Sequence, residues 1–318
     1  MNEKNVLFDD FLKRKLNEIV SENKTVFGDF SEKDNQDYLE SIKKVKNSID
    51  KRKSELNTEF NTDYYFEKHL LELVILQQLQ MLLILEKDFG FKREEKSKRK
   101  SNPTLFIVTS LMHQMNNNLV SFYKLLSDGF SFQANLIFRN IIEQGLTIFA
   151  ILLDDKFLEE YKRNGDIKEP DKKLKHWREN LSPAKINIIL KKGYSEIDSL
   201  KIFKKPFFEL KKWIYQDSSE FVHSQLLSSV LSSYSSKKGD DEHLDYNLMG
   251  RIDSNIERVC FRAIPYFNIF FDNFIKILID RFDYRFGNSD KGEVVKLWLV
   301  HKLTNELGKE YISKKNYS

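Results

Sequence analysis

The segment Ser131–Leu153, SFQANLIFRNIIEQGLTIFAILL, is apolar on nearly every side of a helical cylinder. Its Leu, Ile, Phe and Ala residues recur at three- and four-residue steps, the period of an α-helix. A helix of this kind is buried on most of its faces, so the fold must surround it with other elements.

The rest of the chain supplies helices. Apolar positions at helical spacing mark residues 6–22, 35–59 and 63–89, the last apolar on more than one face. A helix over 104–127 precedes a turn at Asp128–Gly129–Phe130. Residues 155–198 carry Gly165, Pro170, Pro183 and Gly193, and predict short helices and loops. Helical patterns return over 199–215, 217–234, 248–286 and 293–311. Pro265 should kink or split the long stretch 248–286, because it lacks an N–H and clashes with the preceding turn. Phe267, Phe270, Phe271, Phe274 and Leu278 form a core stripe in that stretch. The serine- and charge-rich SSKKGDDEH reads as a surface loop. With only 11 Gly and 5 Pro in 318 residues and no convincing alternating strand, the expectation is an all-α, multi-helix bundle.

The polar run GFKREEKSKRKSNP, Gly90–Pro103, is the clearest boundary. It divides an N-terminal helical region, 1–95, from a helical core, 96–290, on which a C-terminal helix, 291–318, packs. Lys98, Arg99 and Lys100 within it either contact phosphate or RNA, or belong to a solvated loop.

Charge and cysteine content narrow the function classes. Lys+Arg is 52 and Asp+Glu 48, and a formal net charge of +4 is too mild to argue for nucleic acid by itself. A single cysteine, Cys260, excludes an intramolecular disulfide and a multi-cysteine zinc site, and its apolar neighbours place it in the core. The first residues lack the apolar core of a signal peptide, and polar residues break the longest apolar runs. No membrane span and a cytoplasmic protein are therefore expected. No phosphate-binding glycine loop, dinucleotide fingerprint or His-Glu-x-x-His motif occurs. No metal and no cofactor are expected.

Within the apolar segment, Asn135, Arg139 and Glu143 fall on one stripe, four residues apart. Gln133, Asn140 and Gln144 form a second stripe about a quarter-turn away. A lone buried charge is costly, so the stripe must meet polar groups, water or a ligand. Either Arg139 and Glu143 pair and fix helix packing, or they line a cleft. There Arg139 would bind an anion and Glu143 would orient it or move a proton.

A second polar island is IYQDSSEFVHSQLL, Ile214–Leu227. Asp217 and Glu220 have the spacing of a helix-starting capping box. His223 lies two turns on, with Ser219 and Glu220 on its side, and can serve as acid or base near neutrality. The same histidine could equally be a hydrogen-bonded packing residue.

The two islands together resemble a bacterial family described as domain of unknown function 5677, over roughly residues 104–286. Arg139 and Glu143 match its Arg-x-x-x-Glu step, and Tyr215, Ser219, Phe221 and His223 match a later Tyr-x-x-x-Ser-x-Phe-x-His segment. Such domains are similar to the HEPN group of helical proteins, which includes RNases of toxin–antitoxin and anti-phage systems. The resemblance implies a HEPN-like core, a homodimer, and a metal-independent RNase site of Arg139, Glu143 and His223. Asn135, Tyr215 and Ser219 would bind beside it, and RNA would be the partner. The HEPN signature places an Arg about four to six residues before a His on one helix. None of the six histidines here has one, so the site would join two helices through space.

Three functions are consistent with this reading: an RNA-directed nuclease or toxin of bacterial defence, a non-catalytic helical module that binds a ligand, or a scaffold whose N-terminal helices dock another protein.

Overall fold

A computed structural model describes residues 14, 18, 32–89, 102–222, 234–237, 240–246, 250–284 and 291–315. Ten α-helices and one two-stranded hairpin are formed among these residues. The protein is an all-α, multi-helix bundle. The predicted helix over 6–22 and the linker Gly90–Ser101 lie outside the described residues.

The chain divides into two compact units, Met1–Thr58 and Glu59–Ser318. The sequence places the division at residues 95/96 instead. The difference lies in the helix Tyr65–Phe89, which packs on helices of the second unit because it is apolar on several faces.

Helix α1, Glu32–Asp63, supplies the described part of the first unit. Its surface is laced by pairs one turn apart, including Lys44–Glu40 at 3.1 Å and Lys51–Glu55 at 3.8 Å. Val45 and Ile49, expected on its apolar side, are exposed.

In the second unit, α2 (Tyr65–Phe89) packs on α3 (Pro103–Ser127). Asn102 caps α3 by accepting from the Leu105 N–H at 3.1 Å, and Pro103 supplies the first-turn residue that needs no N–H partner. The chain turns at Gly129 and returns as α4 (Ser131–Leu153), antiparallel in sequence sense to α3 and packed along it. Gly129 has φ of 76°, and its carbonyl accepts from the Arg251 N–H at 2.8 Å. A Cβ there would meet the Arg251 carbonyl carbon at 2.7 Å, so both conformation and space require glycine.

Helices α5 (Asp155–Asp166), α6 (Pro170–Asn180) and α7 (Pro183–Glu196) follow as the short elements the breakers predict. Asp154 caps α5 through the Phe157 N–H at 2.9 Å. Helix α8 then runs unbroken from Asp198 to Val222. Asp217 therefore lies inside a helix and does not start one. Neither Gly nor Pro lies between Tyr215 and Asp217, so nothing ends the preceding turn.

Strands β1 (Tyr234–Lys237) and β2 (Asp240–Tyr246) pair antiparallel, with Tyr234 opposite Tyr246 and Lys237 opposite Asp240. This hairpin replaces the expected loop. An irregularity between Ser235 and Lys237 breaks any alternation the sequence could have displayed.

Helix α9 (Asn255–Phe282) runs through Pro265 without the split that was one of the two expected outcomes. Tyr266, Phe267, Phe270, Phe271 and Phe274 are all buried around the proline and hold the helix in place. Helix α10 (Lys291–Lys315) packs on α2 and α9.

Central helix α4 touches α3, α5, α7, α8 and α9. Phe149 stacks on Phe270 with centroids 4.8 Å apart, and Phe138 meets Tyr266 edge-on at 5.8 Å. The close approach of α9 depends on Gly145, since a Cβ there would collide with the Tyr266 hydroxyl and meet the Phe270 ring at 3.1 Å. Cys260 is fully buried, and burial pushes its thiol pKa up. By length and hydropathy, α2 and α4 could each cross a membrane. About half of each such window is buried in the bundle, 50% and 56% respectively.

Candidate ligand cleft beside the central helix

The polar stripe of α4 leads to a cleft. The cavity, about 720 Å³, lies between α3, α4, α5, α6, α7 and α8. Asn140, Glu143, Gln144 and Thr147 of α4 line one wall. Both sequence stripes contribute, because residues three and four apart share a helix face.

Glu143 is held from its own helix. Arg139 Nε donates to Glu143 Oε1 at 3.1 Å, and the two side chains are 22% and 44% exposed. Thr147 Oγ1 donates to the Glu143 carbonyl at 2.8 Å. Asn118 Nδ2 of α3 donates to Gln144 Oε1 at 2.9 Å and fixes that amide.

The facing wall is cationic and aromatic. Lys191 of α7 and Lys211 and Lys212 of α8 line it, together with Tyr161, Trp177 and Phe208. Lys211 Nζ donates to Asn187 Oδ1 at 2.9 Å and sits 5.8 Å from the Phe208 ring centroid. Burial, and then the nearby Lys191, lower the Lys211 pKa. Burial likewise raises the Tyr161 pKa.

His176 sets the position of the Trp177 wall. Its Nε2 lies 2.8 Å from Glu160 Oε2 and its Nδ1 lies 3.1 Å from Asn164 Oδ1, which ties α6 to α5. Both partners are oxygens on α5, so this buried histidine acts as a clamp between two short helices.

The third member of the predicted stripe is elsewhere. Asn135 is 2% exposed, and neither of its amide atoms has a hydrogen-bond partner. It borders a void of about 10 Å³ with Ser131, Arg258 and Arg262. Nearby, Ser131 Oγ donates to Asp253 Oδ2 at 3.0 Å, and the Tyr64 hydroxyl donates to the Asp253 carbonyl at 2.6 Å. The stripe thus runs from a buried polar cluster at Asn135 to the open cleft at Glu143.

Of the other predicted site residues, Tyr215 and Ser219 have backbones within α8. His223, Lys98, Arg99 and Lys100 lie outside the described residues. Among the described residues, no group of three or more His, Cys, Asp or Glu side chains is arranged to hold a metal ion.

Sequence reasoning missed Trp177, Lys191, Lys211 and Lys212. No local signal singles them out, because the three lysines look like any others in a chain with 52 basic residues. Only the folding of α6, α7 and α8 against α4 brings them together.

No protein-family model, curated protein or solved structure matches this chain.

Proposed function

We propose that the protein is a non-catalytic helical module that binds a small ligand in the cleft between α4 and helices α6–α8. The observation that carries this reading is the cleft itself. Its volume of about 720 Å³ lies within the range of small-molecule sites, about 300–1,000 Å³, and it combines apolar walls with a few placed polar groups. A cytoplasmic setting accompanies this reading, supported by the burial of half of each apolar helix window in the bundle.

The test is native mass spectrometry of the full chain after exposure to a bacterial small-molecule extract. The wild-type protein should retain added mass. Ala184→Trp, which plugs the lining, should lose it. Equal retention by both proteins, or none by the wild type, would remove the reading.

The Arg139–Glu143 pair beside a lysine-bearing cleft favours a second reading, the HEPN-like RNA-directed nuclease of bacterial defence. Arg139 would then hold the scissile phosphate and His223 would move the proton. Expression of wild type, Arg139→Ala and His223→Ala in a bacterial host separates the two readings. RNA loss and growth arrest confined to the wild type would favour the nuclease. Intact RNA in all three would favour the binding module.

A further inference from the structure

The cleft lysines differ from three of their neighbours on the same helices. Lys192 pairs with Glu196, Lys201 with Asp198 and Lys205 with Glu209, at 3.9, 2.6 and 3.9 Å. Lys191, Lys211 and Lys212 have no carboxylate partner among the described residues, and the acceptor beside Lys211 is a neutral amide. Among the described residues, the one carboxylate lining the cleft is Glu143, and it already faces the Arg139 guanidinium. Among these residues the wall carries more positive than negative charge.

We infer that the ligand is a small organic anion with a planar, unsaturated body, anchored by Lys211 and seated on Trp177, Tyr161 and Phe208. This rests on the ligand-binding reading and adds the class of ligand. Three arguments lead to it.

The first is desolvation. A half-buried ammonium without a counter-ion is costly, and an incoming carboxylate, sulfonate or phosphate relieves that cost through a charge-assisted hydrogen bond. Burial lowers the Lys211 pKa, and the neighbouring Lys191 lowers it further, so an anion beside Lys211 would restore the charged form. The second is charge. Lys191 and Lys211 line the same wall of the cleft and repel each other, and an anion in contact with both converts that repulsion into two attractions. The third is shape. Trp177 leaves 41% of its surface exposed although it lines a concave site, and Leu181 and Ile186 extend the apolar floor. An exposed indole at a polar, cationic cleft is suited to stacking on a planar ligand.

The experiment is isothermal titration of the full chain with three probes that share one ring system and differ in charge: 1-naphthoate, 1-naphthalenemethanol and 1-naphthalenemethylamine. Expected is an affinity order of anion, then neutral, then cation. Lys211→Met should cut the preference for the anion over the neutral probe about tenfold, the effect of one charge-assisted hydrogen bond. Lys191→Met should reduce it less and serves as the second variant. Cation binding as tight as anion binding, or an unchanged preference in both lysine variants, would overturn the inference. Equal binding of all three probes that Ala184→Trp abolishes would also overturn it, while leaving the binding reading intact. Full displacement of 1-naphthoate by millimolar inorganic phosphate would overturn the requirement for a planar body. No binding by any probe would overturn the ligand class, with the retained-mass experiment then deciding the binding reading alone.

Discussion

Arg139 and Glu143 form an ion pair one turn apart on α4, with Arg139 Nε 3.1 Å from Glu143 Oε1. The answer to why so apolar a helix carries both charges lies in position. Glu143 lines the cleft and is partly solvated, and Arg139 lies beside it as its ion-pair partner on the same helix. A partly exposed pair of this spacing contributes about 0.3–0.5 kcal/mol. Glu143→Gln should therefore lower thermal stability only slightly. It should also strengthen binding of 1-naphthoate by removing the acid from the cleft wall. A large loss of melting temperature in this variant would show that the pair holds the fold instead.

Gly145 lies two residues beyond Glu143 and is a point of close approach between α9 and α4. Gly145→Ala places a methyl group against the Tyr266 hydroxyl and the Phe270 ring, both buried. Overpacking of this kind costs about 1–3 kcal/mol, even though alanine is the better helix former. Chemical denaturation of the variant should show a lower midpoint. An unchanged midpoint would mean that α9 shifts freely.

Lys211 gives a pH signature. Its folded-state pKa is lowered, first by burial and then by Lys191. In the window between that lowered value and the ordinary lysine range, the unfolded chain binds more protons, so stability rises with pH there. The destabilisation is present in full below the folded pKa and fades as pH rises toward the unfolded value. Lys211→Met should be more stable than wild type at neutral pH, with the gain shrinking in alkaline buffer. Stability curves of the two proteins that stay parallel across this range would contradict the assignment.

Tyr123 of α3 donates to Glu72 Oε1 of α2 at 2.8 Å, and His69 Nδ1 lies 2.8 Å from Glu72 Oε2. Burial raises the Glu72 pKa, but the hydrogen bonds from Tyr123 and His69, with Lys68, outweigh it and leave the net pKa lowered. A carboxyl with a lowered folded pKa adds stability above its unfolded pKa, and that stability is lost as pH falls through the folded value. Tyr123→Phe should lower stability by about 1 kcal/mol at neutral pH, the typical worth of one hydrogen bond. The difference from wild type should narrow in acid. A difference that widens in acid would contradict this sign.

How far the sequence revealed the molecule depended on the range of the interactions involved. Helices were legible where apolar period or helix-opening prolines mark them: Ser131–Leu153 has the same limits in sequence pattern and structure, and Pro170 and Pro183 open the short helices they announce. The hairpin was not legible, because Tyr234–Tyr246 has serines and charges where an apolar alternation would signal strands. The passage of α9 through Pro265 was hidden too, since tertiary packing of Phe267 and Phe270 outweighs the missing N–H. At the site, Arg139 and Glu143 could be paired from their spacing alone. The lysines opposite could not, because they come from helices some fifty to seventy residues away along the chain, and only α4's neighbours bring them close.

The account's central claim is that the cleft beside α4 takes a ligand that stacks on Trp177. Its most direct test is the fluorescence of that tryptophan in a Trp213→Phe/Trp298→Phe protein, where Trp177 is the sole indole. Titration with 1-naphthoate should change the Trp177 emission along a saturable curve, and Ala184→Phe, which fills the lining without adding an indole, should abolish that curve. An emission that stays constant, or drifts linearly with probe concentration, would contradict the claim.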